Sequence, residues 1–73
     1  MAEPITFYYA NCNGLSGVWF RRRAVSYFLL ASNGPLRLVE PTDVVMILGE
    51  LPADMTPIVQ HEVATRGHQG GAL

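Results

Sequence analysis

The chain has 73 residues, 49% of them hydrophobic, a net charge of −1 and one cysteine. A chain this short forms one domain and buries only roughly 60% of the surface its unfolded form exposes, yet its apolar share is too high for wholesale disorder. Cys12 alone forbids an internal disulfide, which a secreted domain of this size normally needs, so the composition points to a reducing cytoplasm.

The start, Met1-Ala2-Glu3-Pro4, places an acid where a secretion signal would carry basic residues. The longest apolar runs, residues 27–31 and 44–48, fall far short of the roughly 20 residues of a membrane span. A soluble protein of the cytoplasm with no membrane partner is expected. Charge is unevenly divided. Residues 1–37 set Arg21, Arg22, Arg23 and Arg37 against Glu3, and residues 38–73 set Arg66 against Glu40, Asp43, Glu50, Asp54 and Glu62. Such a chain can present a basic surface to one partner and an acidic one to another. Every basic residue is arginine, which a GC-rich genome explains without a functional reason.

In chain order, residues 5–11 are β-branched and aromatic, with Ile5, Phe7 and Tyr9 on one face and Thr6, Tyr8 and Ala10 on the other. Residues 11–17 read as a loop, marked by Asn13-Gly14 and Ser16-Gly17. Residues 18–23 form a second strand and residues 25–31 a third. Ser32-Asn33-Gly34-Pro35 is a turn, and residues 36–39 add a short fourth strand. Thr42 then reads as a helix N-cap with Asp43 in the first turn, and Val44, Ile47, Leu48 and Leu51 follow at helical spacing. Gly49, Val44 and Val45 weaken that helix. Thr56-Pro57 starts a second short helix through Gln60 and Val63 that stops at Gly67. The expected fold is α+β: an antiparallel sheet of three or four strands over residues 5–39 with a helix near 42–51 packed on one face. Residues 1–66 make the domain, and residues 67–73 a flexible tail.

No catalytic residues are expected. Cys12 with His61 and an asparagine could imitate a thiol hydrolase, but Cys12 lies among Asn and Gly with no local signature. Cys12, His61 and His68 lack metal-ligand spacing, and the carboxylates of the second half form no calcium loop. Gly14-Leu15-Ser16-Gly17 has neither the lysine nor the following helix of a phosphate loop. The chain therefore reads as a non-enzyme without cofactor or metal.

The informative stretch is Trp19-Phe20-Arg21-Arg22-Arg23, since Arg and Trp dominate the energetics of binding surfaces. If Val18 and Phe20 face the core, then Trp19, Arg21 and Arg23 point outward together. Tyr8 and Tyr27 would flank them, and Arg22 would lie core-side near a strand end. This face suits a protein partner. Single-stranded nucleic acid is a secondary reading, because a chain without net positive charge gains little from phosphate neutralisation. The plain alternative is that Trp19 completes a small core and the arginines are solvated.

On Thr6-Phe7-Tyr8-Tyr9 and Val18-Trp19-Phe20-Arg21-Arg22-Arg23, together with its size and absence of lysine, the chain resembles small bacteriophage host-takeover proteins. More narrowly, it resembles the transcription regulators of lytic Xanthomonas phages. The resemblance implies binding to the N-terminal region of the host RNA polymerase β′ subunit. It also implies inhibition of initiation by sigma displacement, and antitermination. A phage inhibitor of another host protein and a single-strand nucleic-acid-binding module are the alternatives.

Overall fold

Asn13 and Gly14 make the first turn of the sheet. In the computed structural model, which describes residues 5–69, β1 (Tyr8–Cys12) returns as β2 (Leu15–Arg22) through these two residues alone. Cys12 lies opposite Leu15 and Tyr8 opposite Trp19. Both turn residues have positive φ, 53° and 84°, the hairpin geometry whose twist matches that of the strands and that Asn-Gly adopts most easily. The loop expected over residues 11–17 is thus a tight turn, and Ser16 and Gly17 belong to β2. Gly17 is there for space. A Cβ at this position would run into the Leu29 carbonyl oxygen and come within 2.6 Å of Phe28 Cζ, so the Phe28 ring packs directly on bare backbone.

A second two-residue turn, Arg23-Ala24, leads into β3 (Val25–Leu30), with Phe20 opposite Tyr27 and Trp19 opposite Phe28. A two-residue strand, β4 (Arg37–Leu38), flanks β3. The chain then departs from expectation. Residues 42–51 are not a helix: Val45–Glu50 form β5, antiparallel to β1, and the sheet runs β4-β3-β2-β1-β5. Five consecutive apolar residues from Val44 to Leu48 satisfy either period, and the branched Val44, Val45 and Ile47 favour the pleated surface. Thr42 caps nothing here, and the turn before β5 belongs to Asp43, whose N–H donates to the Glu40 carbonyl over 2.9 Å.

The helix comes last. A 3₁₀ turn at Ala53–Met55 precedes α1 (Thr56–Gln69), with Pro57 in its first turn, where a missing N–H costs nothing. It continues past Gly67, where the sequence suggested a stop; residues 70–73 of the expected tail lie outside the described residues. Val59 and the half-buried Met55 and Val63 pack with Phe7, Phe20, Leu29, Leu36 and Leu51 on one face of the sheet. Arg66 ties the helix to β3, donating from Nη1 to the Leu30 carbonyl at 2.6 Å while Glu62 holds its Nε at 2.9 Å. The architecture is α+β, one antiparallel sheet with one helix on one face, built from five strands. Among the described residues no helix is long and apolar enough to cross a membrane.

The opposite face carries a second core of Ala10, Cys12 and Phe28, with Trp19, Leu30, Val39 and Val45 around it. Residues 39–44 must travel from the β4 edge of the sheet to the β5 edge. Val39 at the start of this crossover and Val45 just beyond it both pack on that core. Asn13 pins the crossover. Its N–H donates to the Val44 carbonyl (2.8 Å) and its Oδ1 accepts the Val44 N–H (2.9 Å). Its Nδ2 donates to Asp43 Oδ1 (2.9 Å), while Asp43 Oδ2 accepts the Glu40 N–H (2.8 Å) and lies 3.7 Å from the Arg37 guanidinium.

Two predictions follow from this packing. Gly17→Ala should cost about 2–3 kcal/mol, because its new methyl meets backbone that cannot yield; an unchanged denaturation midpoint would refute that packing. The bond from the Glu40 N–H, then that from Asn13, with the Arg37 charge, hold the Asp43 carboxyl below its ordinary pKa against a smaller opposing effect of burial. Its stabilising contribution is therefore complete above roughly pH 4, the range of an unfolded carboxylate, and is lost as pH falls through the lower folded value. Asp43→Asn should lower the melting temperature at pH 7, with the gap to the wild type closing towards pH 2–3. An equal gap at both pH values, measured by thermal melts, would contradict the assignment.

Candidate functional site

Strand register places the aromatic and arginine residues more specifically than alternation alone. Tyr8 and Trp19 are cross-strand partners whose rings tilt against each other at 5.8 Å, on the face away from the helix. Arg21 alternates onto this same face, one pleat beyond Trp19 and opposite Ser26, and is exposed. These three residues stand together as expected.

Tyr27 does not join them. It pairs with Phe20, so it lies on the helix side, where the two rings stack at 5.1 Å with planes 12° apart. Phe7 then meets Phe20 edge-on at 5.1 Å. Arg22 lies on this side too, its guanidinium 5.3 Å from the centre of the Tyr27 ring, a cation–π contact worth about 0.5–1 kcal/mol at an exposed site. Arg22, Tyr27, Phe20 and Phe7 thus form a continuous stack from the solvent-exposed hairpin end into the helix-side core. Arg22, Arg23, Val25 and Tyr27 line an open cleft of about 390 Å³.

Arg23 is not a strand residue. It and Ala24 form the turn with φ of 52° and 66°, the left-handed region that costs a non-glycine residue about 1–2 kcal/mol. Hairpin pairing on either side, Arg22 with Val25 and Arg21 with Ser26, holds them there. The arginines therefore do not share one face. Arg21 leaves on the Trp19 side, Arg22 on the Tyr27 side, and Arg23 stands at the tip between them. None of the three appears in the salt bridges of the described residues, which are Arg37 with Asp43 and Arg66 with Glu62. All three are exposed.

The Trp19 side is also less open than the sequence suggested. Trp19 and Tyr8 are half-buried, and Trp19 packs on the core beneath the crossover. Arg22 and Val25 are the site residues that sequence reasoning missed. A two-residue turn at Arg23-Ala24 would have paired Phe20 with Tyr27, but neither residue carries the usual signature of that turn.

Cys12 is fully buried in the core beneath the crossover, whereas His61 is exposed on α1, across the sheet. Among the described residues no group of three or more His, Cys, Asp or Glu side chains is arranged to hold a metal ion. What the arrangement presents is exposed planar cations with aromatic side chains beside them at the end of a hairpin. No protein-family model matches the chain, and neither a curated protein nor a solved structure was found to be similar to it.

The turn geometry gives its own prediction. Ala24→Gly removes the left-handed penalty and adds unfolded-chain entropy of smaller size, so it should stabilise the protein by about 0.5–1 kcal/mol, opposite to the usual sign of that substitution. Destabilisation in a urea titration would show that the turn does not hold Ala24 left-handed.

Proposed function

We propose that this chain is a non-enzymatic binding protein that engages a host protein through the end of its β2–β3 hairpin, with Arg21, Arg22 and Arg23 as cationic anchors and Trp19 and Tyr8 beside Arg21. One observation carries the reading: among the described residues, three adjacent guanidiniums, two at the end of β2 and one on the left-handed turn that follows it, stand exposed without carboxylate partners. Such a tip suits an acidic or carboxylate-bearing protein surface, where each guanidinium can bind bidentately. Tyr27 supports it from the far side as the platform under Arg22.

The identity of the partner rests on the resemblance to phage transcription regulators alone. On that basis the host protein is bacterial RNA polymerase, contacted at the N-terminal region of its β′ subunit. The consequences are sigma displacement, loss of initiation and read-through of terminators. A stacking platform for single-stranded nucleic acid has less support, since Trp19 is packed into a core and Tyr27 lies on the other side of the sheet.

Capture of bacterial lysate proteins on the tagged chain after nuclease treatment tests the partner. Polymerase subunits should be retained, and sigma-dependent initiation in a purified transcription assay should fall as the chain is added. Arg21→Ala, exposed and outside both cores, should weaken retention by roughly tenfold or more while leaving the fold unchanged. Trp19→Ala should do so as well, with some loss of stability. Retention of nucleic acid alone from lysate not treated with nuclease, or full retention of polymerase by Arg21→Ala and Arg23→Ala, would overturn the proposal.

A further inference from the structure

The sheet has two edges of unequal kind. β4 spans two residues, whereas β5 spans six and is apolar over most of its length. Met46, Ile47 and Leu48 are 60%, 45% and 59% exposed, and Val44 just before the strand is 71% exposed. Long apolar edges are normally blunted by lysine, proline or a covering segment. β5 has neither residue within it, and its only neighbour in the sheet is β1.

Its backbone is presented for pairing. The Val44 carbonyl accepts the Asn13 N–H and the Leu51 N–H donates to Phe7, so both bond inward towards β1. Antiparallel alternation then turns the N–H and C=O groups of Val45, Ile47 and Glu50 outward. Leu48 is the extra residue of a bulge, between Ile47 opposite Ala10 and Gly49 opposite Tyr9. It forms one wall of an apolar cleft of about 420 Å³ with Tyr9, Val18 and Ala31, floored by Gly17.

Charge selects the occupant. Glu40 and Asp43 precede β5, Glu50 ends it and Asp54 follows. Arg37, the last basic residue before Arg66, lies 3.7 Å from Asp43, which leaves Glu40 as the uncompensated acid at the first end among the described residues. A second copy pairing through β5 would set acid against acid at both ends, in either strand direction, which disfavours self-association. A strand with basic ends would be attracted at both. We propose that β5 is a docking edge for an extended segment of another protein, apolar at alternate positions and basic at both ends, which adds to the sheet as a sixth strand. The proposal concerns a surface separate from the arginine hairpin and does not rest on its function.

The test uses the full-length ¹⁵N-labelled chain and the capped peptide Lys-Val-Thr-Val-Thr-Val-Lys. Amide shifts should move from Val44 to Leu51, and exchange of the Val45, Ile47 and Glu50 amides should slow. Replacing both terminal lysines by glutamate should weaken binding at least about tenfold, and N-methylating alternate peptide amides should abolish it. Ile47→Pro removes an outward N–H that β1 does not use, a substitution an edge strand accepts, and should also abolish binding. If that variant does not fold, the N-methylated peptide decides the question on the wild type. The proposal is overturned by any of four results: no binding of the basic peptide at millimolar concentration, equal binding of the acidic or N-methylated peptides, shifts centred on residues 21–27, or dimerisation of the free chain through β5.

Discussion

One helix serves a sheet that is apolar on both faces. Strand β2 shows the problem: Val18 and Phe20 point to one side, Trp19 to the other, and Gly17 lets Phe28 fold close against that second side. The helix buries the first face through Val59, Met55 and Val63. On the second, among the described residues, the two ends of the crossover between the sheet edges bring Val39 and Val45 against Ala10, Cys12 and Phe28. Asn13 makes that crossover stay in place. A residue needed anyway for a positive-φ turn also spends its backbone and side chain on Val44 and Asp43, some thirty positions away. Turn, crossover and second core are therefore one cooperative unit.

The same economy shapes the surfaces. The arginine hairpin projects from the middle of the sheet, between strands whose register leaves its two turn residues no room to relax. Under the proposed binding role, a turn held in one conformation by its flanking pairs would lose less entropy on meeting a partner. The Arg22–Tyr27–Phe20–Phe7 stack anchors the tip in the helix-side core, so the presentation of the guanidiniums depends on the packing beneath them. On the opposite flank, returning β5 to β1 completes the fold but leaves an apolar edge with acidic ends. Basic hairpin and acidic edge are the spatial form of the charge asymmetry along the chain.

Much of the first half was legible. Alternation separated Phe7 from Tyr8 in the first strand and Phe20 from Trp19 and Arg21 in the second, because side-chain period in a strand does not depend on its partner. Register was not legible. Arg23-Ala24 carries no turn chemistry, so nothing in the sequence paired Tyr27 with Phe20 and removed it from the Trp19 face. Gly17 read as a turn residue because close approach and chain reversal ask for the same side chain. Residues 44–48 failed for a different reason: an unbroken apolar run has no period, and β1 decided between helix and strand by offering an unpaired edge. Asp43 looked like first-turn helix chemistry, and its carboxylate does bind a backbone N–H, but that of Glu40 in a turn. The Asn13–Asp43 bond is long-range and left no local mark.

Cys12 reports on the central claim that the crossover, clipped by Asn13, seals the second core. Its thiol lies fully buried there, so its labelling by a disulfide reagent across increasing denaturant measures when that core opens. In the wild type, labelling should require opening close in free energy to global unfolding. In Asn13→Ala, labelling at low denaturant should accelerate by more than the loss of global stability accounts for, because the crossover lifts before the sheet unfolds. If native wild-type Cys12 reacts like a free thiol, or if Asn13→Ala alters labelling only in proportion to global stability, the crossover is not the cover described here.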